Sequence, residues 1–361
     1  MQRVYNFAAG PSTMPEAALR QAAQEMLCYG DTVMSVMEMS HRSKMYLDIF
    51  NETEALVREL MNIPDEYAVL FLQGGATAEF AAAAMNLMGR SGKADYVDSG
   101  NFAHGALVEA KKYGKVNCVA SSEADNYTRI PELDKSRFDP DADYFYITTN
   151  NTIFGTRYDE LPDTGDVPLV ADMSSNIMSE VYDINRFGVA YAGAQKNIGP
   201  AGFALVIVRK DLFGRALPIT PKILNWEKEA DKDSMINTPP TYAIYMAGLC
   251  MKWLKSVGGV PAIEKINIEK ASMLYDALDN SSFYKPVVTM KQYRSRMNVT
   301  FNTPSKDLDA EFAKEAAANG LANLKGHRLV GGIRASIYNA MPVEGVKALI
   351  EFMKKFEMEH K

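Results

Sequence analysis

The sequence predicts an α/β protein with two lobes, of which the larger is built on a mostly parallel sheet. Between residues 68 and 208, short apolar runs alternate with segments of helical periodicity, which is typical of strands joined by crossover helices. After about residue 258 the pattern changes to long helices with isolated strands, which indicates a smaller α+β lobe. A chain of 361 residues is also too long for one simple core.

The large lobe is predicted to span residues 16–258. Helices are expected at residues 16–28 and 44–61, with a loop at 34–43 between them. Seven apolar runs then predict strands at residues 68–72, 95–97, 115–120, 144–149, 168–171, 189–192 and 203–208. Helices at 77–88 and 102–112 separate the first of these strands. Strands joined by such crossovers run parallel, so we expect a mostly parallel, seven-stranded sheet.

The small lobe is predicted to combine residues 1–15 with residues 259–361. The first fifteen residues are expected to be extended, because Gly10-Pro11 and Pro15 interrupt any helix. The later segment predicts helices at residues 262–279, 308–319 and 343–357 and strands at residues 297–301 and 333–337. We see no internal repeat and no low-complexity tract.

Composition disfavours several classes of partner and location. The net charge is −6 and no block of lysine and arginine occurs, so neither nucleic acid nor an anionic membrane is expected as a partner. No apolar run approaches the roughly 20 residues of a membrane helix, and the first residues lack the apolar segment of a secretory signal. Three widely spaced cysteines suit reduced thiols, so we expect a cytoplasmic protein.

The common nucleotide, hydrolase and metalloprotease motifs are absent from the sequence. No two glycines have the spacing G-x-G, so there is no dinucleotide fingerprint, and neither a P-loop nor G-x-S-x-G nor H-E-x-x-H occurs. The four histidines are scattered, with no cysteine or carboxylate at metal-ligand spacing. We therefore expect no metal site.

Lys196 is the strongest candidate for a catalytic residue. It lies in YAGAQKNIGPAGFA, residues 191–204, among small and amide residues and between two apolar runs. We expect it on a glycine-rich turn inside the protein, although an ordinary surface turn is the commoner place for a lysine. Burial disfavours the ammonium form and lowers the pKa of the amine. A neutral amine attacks carbonyl carbons and forms a Schiff base.

Two other features lie at the carboxyl ends of predicted strands, where ligands bind in open α/β sheets. QGGAT, residues 73–77, opens a helix whose free N–H groups suit a phosphate, although a tight turn explains the glycine pair about as well. Asp172 follows the apolar run at 168–171. A buried carboxylate needs a partner, and a protonated ring nitrogen would serve; the alternative is a helix N-cap.

An aromatic and a polar feature follow two neighbouring strands. Phe102 offers a face for stacking on a planar ring, although core packing is the commoner fate of a phenylalanine. NNT, residues 150–152, offers amides and a hydroxyl to a ring substituent, and turn chemistry explains it equally well. A lysine for a Schiff base, an acid for a ring nitrogen, a stacking ring and a phosphate turn together meet the requirements of pyridoxal 5′-phosphate. We therefore expect this cofactor.

A second group of candidates is cationic. Two of the four histidines precede an arginine, in the pairs His41-Arg42 and His327-Arg328, and Arg334 follows the glycine pair in VGGIRAS. Arginine binds carboxylates and phosphates through two parallel hydrogen bonds. These loops come from opposite ends of the chain, so we expect a substrate with more than one anionic group. The alternative, a solvated surface arginine, is the better explanation for Arg42 taken alone.

Several long strings resemble the phosphoserine aminotransferase family, over essentially the whole chain. They are NFAAGPS near the start, SHRS at 40–43, ADMSS at 171–175, YAGAQKNIGPAG at 191–202, SMINTPPTYAIY at 234–245, SRMNV at 295–299 and KGHRLVGGIRASIYNAMP at 325–342. The resemblance implies a class V, fold-type-I aminotransferase that depends on pyridoxal phosphate and works as a homodimer of two-domain subunits. It implies the conversion of 3-phosphohydroxypyruvate and L-glutamate to O-phospho-L-serine and 2-oxoglutarate, in serine biosynthesis.

The resemblance also implies a role for each candidate residue. Lys196 would form the Schiff base with the cofactor, Asp172 would bind the pyridine nitrogen and Phe102 would stack on the ring. The cofactor phosphate and the ring hydroxyl would be surrounded by Ala76, Thr77, Thr152, Ser174 and Gln195. Asn237 and Thr238 would complete the phosphate site of the neighbouring subunit, so the active sites would lie at the dimer interface. The substrate anions would be bound by His41, Arg42, His327, Arg328 and Arg334.

The chain departs from the family pattern at two places. Many members have a tryptophan where this chain has Phe102, and some have a glycine-arginine pair in place of Ala76-Thr77. Both departures concern cofactor affinity and the range of substrates rather than the reaction class. The sequence leaves open whether 4-phosphohydroxy-L-threonine, a substrate in pyridoxine synthesis, also reacts.

Three other functions fit the sequence less well. A desulfurase of the same fold needs a reactive cysteine on a mobile loop, and Cys28, Cys118 and Cys250 all lie in predicted helices or strands. Another class V aminotransferase, such as the alanine–glyoxylate type, would leave both His-Arg pairs without a function. A non-catalytic binding or scaffolding protein would not require a lysine at position 196.

Overall fold

A computed structural model of the chain describes residues 3–361. Its α-helices over these residues are α1 (Glu16–Gln24), α2 (Lys44–Met61), α3 (Gly75–Leu87), α4 (Asn101–Ala110), α5 (Trp226–Ala230), α6 (Thr241–Ser256), α7 (Gly259–Asp279), α8 (Lys306–Ala318) and α9 (Val343–His360). Its β-strands are β1 (Tyr5–Asn6), β2 (Tyr67–Leu72), β3 (Lys93–Asp98), β4 (Lys115–Ser121), β5 (Tyr144–Thr148), β6 (Asn150–Asn151), β7 (Thr156–Arg157), β8 (Leu169–Asp172), β9 (Val189–Gly193), β10 (Ala204–Arg209), β11 (Lys285–Pro286), β12 (Asn298–Asn302), β13 (Leu321–Ala322) and β14 (Ile333–Ser336).

The large lobe is organised around a seven-stranded sheet with the strand order β2-β10-β9-β8-β5-β3-β4. Each strand overlaps one of the seven apolar runs, with ends that differ by at most two residues, and the predicted α/β fold class is confirmed. Only β10 runs against its neighbours, pairing antiparallel with both β2 and β9. The carboxyl ends of the other six strands therefore meet at one edge of the sheet.

Helices cover both faces of the large sheet, which explains why its strands are apolar without a polar side. On β2, Val69 and Phe71 face the core that includes α2 and α6, while Leu70 and Leu72 face the core that includes α3 and α4. Four buried tyrosines on this second face, Tyr96, Tyr144, Tyr146 and Tyr191, bond in pairs through their hydroxyls. Side chains of successive strand residues point to opposite faces, so both faces need an apolar cover.

The small lobe has its own sheet and its own core. Strands β11, β12 and β14 form an antiparallel sheet, and β1 of the N-terminal arm pairs parallel with β13. Phenylalanines of β12, α8 and α9 (Phe301, Phe312 and Phe356) meet in the core beneath this sheet. The pairing of β1 with β13 places the arm beside the C-terminal segment. The domain boundaries at 15/16 and 258/259 stay predictions.

Several elements differ from the sequence expectation. Helix α1 ends at Gln24 rather than at residue 28, which places Cys28 on the exposed segment after it instead of in a helix. Helix α5 was not predicted, and for α6 the sequence indicated only helical periodicity around Cys250, without bounds. Residues 244–251 of α6 are all buried, so this helix lacks the polar face that helical periodicity requires. No helix within residues 3–361 combines the length and the apolar composition that a membrane crossing needs.

A short hairpin of the large lobe, residues 150–157, contacts the small lobe directly. Strands β6 and β7 form this hairpin, and Gly155 occupies its turn with φ +83°. The Gly155 carbonyl accepts the N–H of Ser295 (2.8 Å), and the Phe154 carbonyl accepts the Thr300 hydroxyl (2.9 Å). A Cβ on Gly155 would lie 2.6 Å from Thr300 Oγ1 and 2.8 Å from the Asn298 carbonyl oxygen. The close contact between the lobes therefore requires glycine at this position.

We predict that Gly155→Ala destabilises the protein more than Gly165→Ala does. Both glycines have a positive φ, which costs an L-residue about 1–2 kcal/mol, but a Cβ on Gly165 (φ +60°) would meet no heavy atom within 4 Å. The collision at Gly155 should add about 1–3 kcal/mol. Urea unfolding of both variants measures this difference, and equal free energies of unfolding would show that the hairpin does not pack tightly on the small lobe.

Candidate active site

A cavity of about 370 Å³ opens at the edge of the large sheet where six strands end. Ten of the predicted site residues line it: Ala76, Thr77, Phe102, Thr152, Asp172, Ser174, Gln195, Lys196, His327 and Arg334. The N-terminal arm and the small lobe also contribute, through Ala9, Gly10, His327 and Arg334. The cavity therefore collects groups from both lobes.

Lys196 lies on the turn between β9 and β10, with its amine in the cavity. Its Nζ donates a hydrogen bond to Thr152 Oγ1 (2.6 Å). Burial lowers the pKa of the amine to about 8, while the Asp172 carboxylate acts in the opposite direction and the Arg334 guanidinium lowers the pKa further. Such a lysine is neutral far more often at physiological pH than a solvated one.

The N-terminal arm holds this turn in place. The Ser12 hydroxyl donates to the Lys196 carbonyl (2.7 Å), and the Ser12 N–H donates to the Gln195 carbonyl (3.0 Å). Gly10 packs against the lysine side chain, because a Cβ at Gly10 would lie 3.4 Å from Lys196 Cγ. Gly10 was not among the predicted site residues, because it lies nearly 190 positions before Lys196 in the chain and no local pattern links the two.

Asp172 ends β8 and is buried at the base of the cavity. Its Oδ1 accepts the N–H of Ser174 (2.9 Å), and no protein donor within residues 3–361 bonds to Oδ2. Burial raises the pKa of this carboxyl, while the bonds from Ser174 and the charge of Lys196 lower it. No helix follows Asp172, so the N-cap alternative does not apply, and Oδ2 is left for a cationic ligand atom.

The first turn of α3 offers unpaired backbone donors to the cavity. Gly74 and Gly75, both with positive φ, turn the chain from β2 into the helix, and no side chain caps the first N–H groups of α3. A helix N-terminus with free N–H groups binds anions, phosphate above all. Ala76 and Thr77 lie in this turn, and the Ser174 hydroxyl bonds to the N–H of Gly193 close by (3.0 Å).

Phe102 and Arg334 approach the lysine from two other directions. The Phe102 ring, at the start of α4, has its centroid 5.7 Å from Lys196 Nζ. Arg334, on β14, donates to the Thr152 carbonyl (3.4 Å) and forms no ion pair with any described residue. Burial lowers the pKa of Arg334 and of His327, and the neighbouring arginines lower the pKa of His327 further. Because no described carboxylate pairs with the Arg334 guanidinium, it is available to an anionic substrate.

The remaining predicted residues do not line this cavity. Arg42 and Arg328 are exposed on loops, and His41 precedes α2 with its Nε2 buried and without a partner among residues 3–361. Asn237 and Thr238 are exposed on the segment before α6, where the Thr238 carbonyl accepts the side-chain amide of Gln73 (2.9 Å). Their roles stay predictions.

The sequence analysis also missed cavity residues that flank the predicted ones. Phe80, Thr148, Asn150, Ile153 and Ser175 belong to this set. Asn150 stands in the NNT string, whose amides were expected near a ring substituent, and Ser175 stands in ADMSS, but only Thr152, Asp172 and Ser174 were named as individual site residues.

Comparison with known proteins gives one consistent result. The model of the aminotransferase class-V family matches residues 4–349. A phosphoserine aminotransferase of Bacillus cereus is 52% identical over 361 residues, covering 100% of both chains. The solved phosphoserine aminotransferase of Bacillus circulans subsp. alkalophilus has a TM-score of 0.96 and 43% identity, covering 100% of both chains. The PLP-bound phosphoserine aminotransferase of Trichomonas vaginalis has a TM-score of 0.92 and 36% identity, covering 98% of this chain and 100% of that one.

Proposed function

The chain belongs to the aminotransferase class-V family, and on that basis we propose that it catalyses the phosphoserine aminotransferase reaction in serine biosynthesis. In this reaction 3-phosphohydroxypyruvate and L-glutamate give O-phospho-L-serine and 2-oxoglutarate. The reaction is reversible and follows a ping-pong mechanism, in which the two substrates occupy the same site in turn. The protein is an aminotransferase that depends on pyridoxal 5′-phosphate. The structural observation that carries the proposal is that one cavity holds the buried Lys196 amine, the buried Asp172 carboxyl and the Arg334 guanidinium, which has no ion pair among the described residues.

The donor groups of the cavity fit pyridoxal 5′-phosphate. The uncapped first turn of α3 suits its phosphate, Asp172 Oδ2 suits its ring nitrogen and the Phe102 ring suits its flat face. Lys196 is the amine that suits its aldehyde. When bound, the cofactor supplies an aldehyde that takes up the amino group and a protonated ring that withdraws electrons from the substrate Cα.

Lys196 has the properties of the base that moves the substrate proton. Burial lowers its pKa to about 8, so its neutral fraction at pH 7 is well above that of a solvated lysine. The amine is therefore able to accept the proton from the substrate Cα at neutral pH. Thr152 Oγ1 holds the amine by a hydrogen bond, and Asp172 keeps a positive charge on the ring nitrogen favourable.

The cationic residues are proposed to select the substrate by its anionic groups. Arg334, which has no ion pair among the described residues, binds the carboxylate common to both substrates. His327, Arg328, His41 and Arg42 bind the distal group, a phosphate on one substrate and a carboxylate on the other. His327 lines the cavity, and Arg328 is the next residue on the same loop.

We further propose a cytoplasmic homodimer with shared active sites. Asn237 and Thr238 are exposed and do not line the cavity of their own subunit, which agrees with a role in the neighbouring one. Leu27, Val33 and Met37 are exposed by 82%, 85% and 59% on the segment between α1 and α2, an apolar surface suited to subunit contact.

We predict that Lys196→Ala binds pyridoxal phosphate and loses the half-reaction with O-phospho-L-serine and L-glutamate by several orders of magnitude, because it lacks the base. Stopped-flow absorbance of the cofactor measures the half-reaction. Lys270→Met is the matched control, since Lys270 is also buried with a pKa lowered to about 7 but bonds only to carbonyls of the small lobe. It should lose stability and keep its rate per folded molecule. A wild-type protein inert towards phosphoserine would contradict the proposed function.

We predict that Arg328→Ala and Arg334→Ala differ in the substrates that they affect. Losing one charge-assisted contact should cost about 1.5–3 kcal/mol, or roughly 10- to 150-fold in kcat/KM. Arg334→Ala should lose this factor with phosphoserine, glutamate and alanine, whereas Arg328→Ala should spare alanine, which has no distal anion. Half-reaction rates with the three amino acids give the comparison. Equal losses for alanine and phosphoserine in Arg328→Ala would show that this arginine does not bind the distal anion.

We predict that the protein sediments at twice the chain mass of 40.0 kDa. The test mixes Lys196→Ala chains with Asn237→Ala chains. If each site takes Lys196 from one chain and Asn237 from the other, then a mixed dimer has one site with neither change and one site with both. Activity of the mixture should therefore exceed the sum of the two homodimers. A fully active monomer, or an Asn237→Ala protein with normal cofactor affinity, would rule out the shared site.

A further inference from the structure

A buried pair of asparagines joins the two lobes directly behind the cavity. Asn150 stands on β6 of the large lobe and Asn298 on β12 of the small lobe, exposed by only 2% and 0%. Asn150 Nδ2 donates to Asn298 Oδ1 at 2.9 Å. Asn298 has no role in the site described above, and Asn150, whose amide was expected near a ring substituent, lines the cavity.

The neighbouring serine determines the orientation of the first amide. Ser295 Oγ accepts the backbone N–H groups of Met297 (3.0 Å) and Asn298 (2.9 Å), so its own hydrogen points to Asn150 Oδ1, 2.6 Å away. A hydroxyl has one hydrogen and two lone pairs, and all three are used here. Asn150 must therefore present Nδ2, with its two hydrogens, to Asn298 and to Ser175.

On the large-lobe side the bonds continue to Lys196. Asn150 Nδ2 donates to Ser175 Oγ (2.9 Å), and the Ser175 hydroxyl donates to the backbone carbonyl of Asn150 (2.8 Å). The Thr152 hydroxyl donates to Ser175 Oγ (3.0 Å), which leaves Thr152 Oγ1 as the acceptor for Lys196 Nζ (2.6 Å). The position of the lysine amine thus depends on Asn150 through two hydroxyl groups.

On the small-lobe side the bonds continue to the strand that carries Arg334. Asn298 Nδ2 donates to Ser336 Oγ (3.0 Å) and to the Tyr338 hydroxyl (3.1 Å). Ser336 and Arg334 are two residues apart on β14, so their side chains share one face of the strand. The Tyr338 hydroxyl donates to the carbonyl of Ala9, which lines the cavity beside Gly10 (2.8 Å).

We propose that Asn150 and Asn298 are positioning residues, which hold Arg334 of the small lobe at the distance from Lys196 that transamination requires. The inference rests on the proposed function, in which Arg334 holds the substrate carboxylate while Lys196 takes the proton from the adjacent carbon. These two groups come from different lobes, so the relative position of the lobes sets the reacting geometry. An error of about 1 Å in such a geometry lowers the rate about 100-fold.

Asn86 provides a matched control for a purely structural asparagine. It is buried like the pair and makes three side-chain hydrogen bonds, to the carbonyls of Ala82 (2.8 Å) and Leu224 (2.7 Å) and from the N–H of Trp226 (2.9 Å). All of these bonds stay outside the cavity. Asn150 and Asn298 each make the same number of side-chain bonds, so truncation to alanine removes equal numbers in all three.

The experiment compares Asn150→Ala, Asn298→Ala, the double variant and Asn86→Ala as holoenzymes with O-phospho-L-serine. Each variant of the pair should lose kcat by about 10- to 100-fold with KM within about threefold, because the substrate still binds Arg334 but reacts less often. The double variant should lose no more than the worse single one, since both changes break the same bond. Asn86→Ala should lower Tm and keep kcat.

A crystal structure of Asn298→Ala gives a readout that does not depend on activity. The contact between Arg334 Nη1 and the Thr152 carbonyl, 3.4 Å in the wild type, should lengthen or be lost. If Asn298→Ala does not fold, Ser336→Ala is the alternative, because it removes the hydroxyl that accepts the hydrogen bond from Asn298 Nδ2. This variant should lower kcat about 3- to 10-fold with KM unchanged.

Three results would overturn the inference: a kcat for the pair variants like that of Asn86→Ala, independent losses that multiply in the double variant, or an unchanged Arg334–Thr152 contact. Failure of the proposed function is distinguishable from these, because it would appear as a wild-type protein that does not transaminate phosphoserine. The crystallographic comparison then still decides whether the asparagine pair positions the two lobes.

Discussion

The site depends on one constraint, which is that the amine of Lys196 must stay out of bulk water and yet face the cavity. The large sheet keeps the amine out of bulk water, because β9 and β10 are buried strands and hold the turn that carries Lys196 between them. The N-terminal arm keeps the amine facing the cavity, since the Ser12 hydroxyl donates to the Lys196 carbonyl and Gly10 packs against the lysine side chain. Desolvation then lowers the pKa of the amine, and the neutral form becomes accessible near neutral pH.

The contact between the lobes behind the cavity is polar, and this distinguishes it from the cores on either side. The Asn150 side-chain amide donates to Asn298, the Thr300 hydroxyl donates to the Phe154 carbonyl, and the Ser295 N–H donates to the Gly155 carbonyl. Apolar surfaces tolerate small sliding movements, whereas buried hydrogen bonds are directional and costly to leave unmade. A polar joint therefore favours one relative orientation of the lobes, and the cavity between them keeps one shape.

The fold was largely predictable because its signals are local. Strands covered on both faces appear in the sequence as continuous apolar runs, and all seven strands of the large sheet were located in this way. Elements whose local signal is weak were not located from the sequence. Residues 244–251 of α6 are buried on every side and show no periodic contrast, and β6 and β7 have two residues each. The antiparallel direction of β10 depends on how β9 connects to it, through a turn instead of a crossover helix.

For the site, the sequence by itself determined the chemistry of individual residues: a lysine among small neighbours, an aspartate ending an apolar run, a glycine pair opening a helix. Each of these follows a strand of the same sheet, so their meeting at one edge follows from the parallel topology. Arg334 was already a candidate from the sequence, but only the tertiary structure decided that it, Gly10 and Asn298 lie beside them. These residues belong to the arm and the small lobe, and no local pattern specifies how two separately formed cores pack against each other, because that packing depends on contacts between residues far apart in the chain.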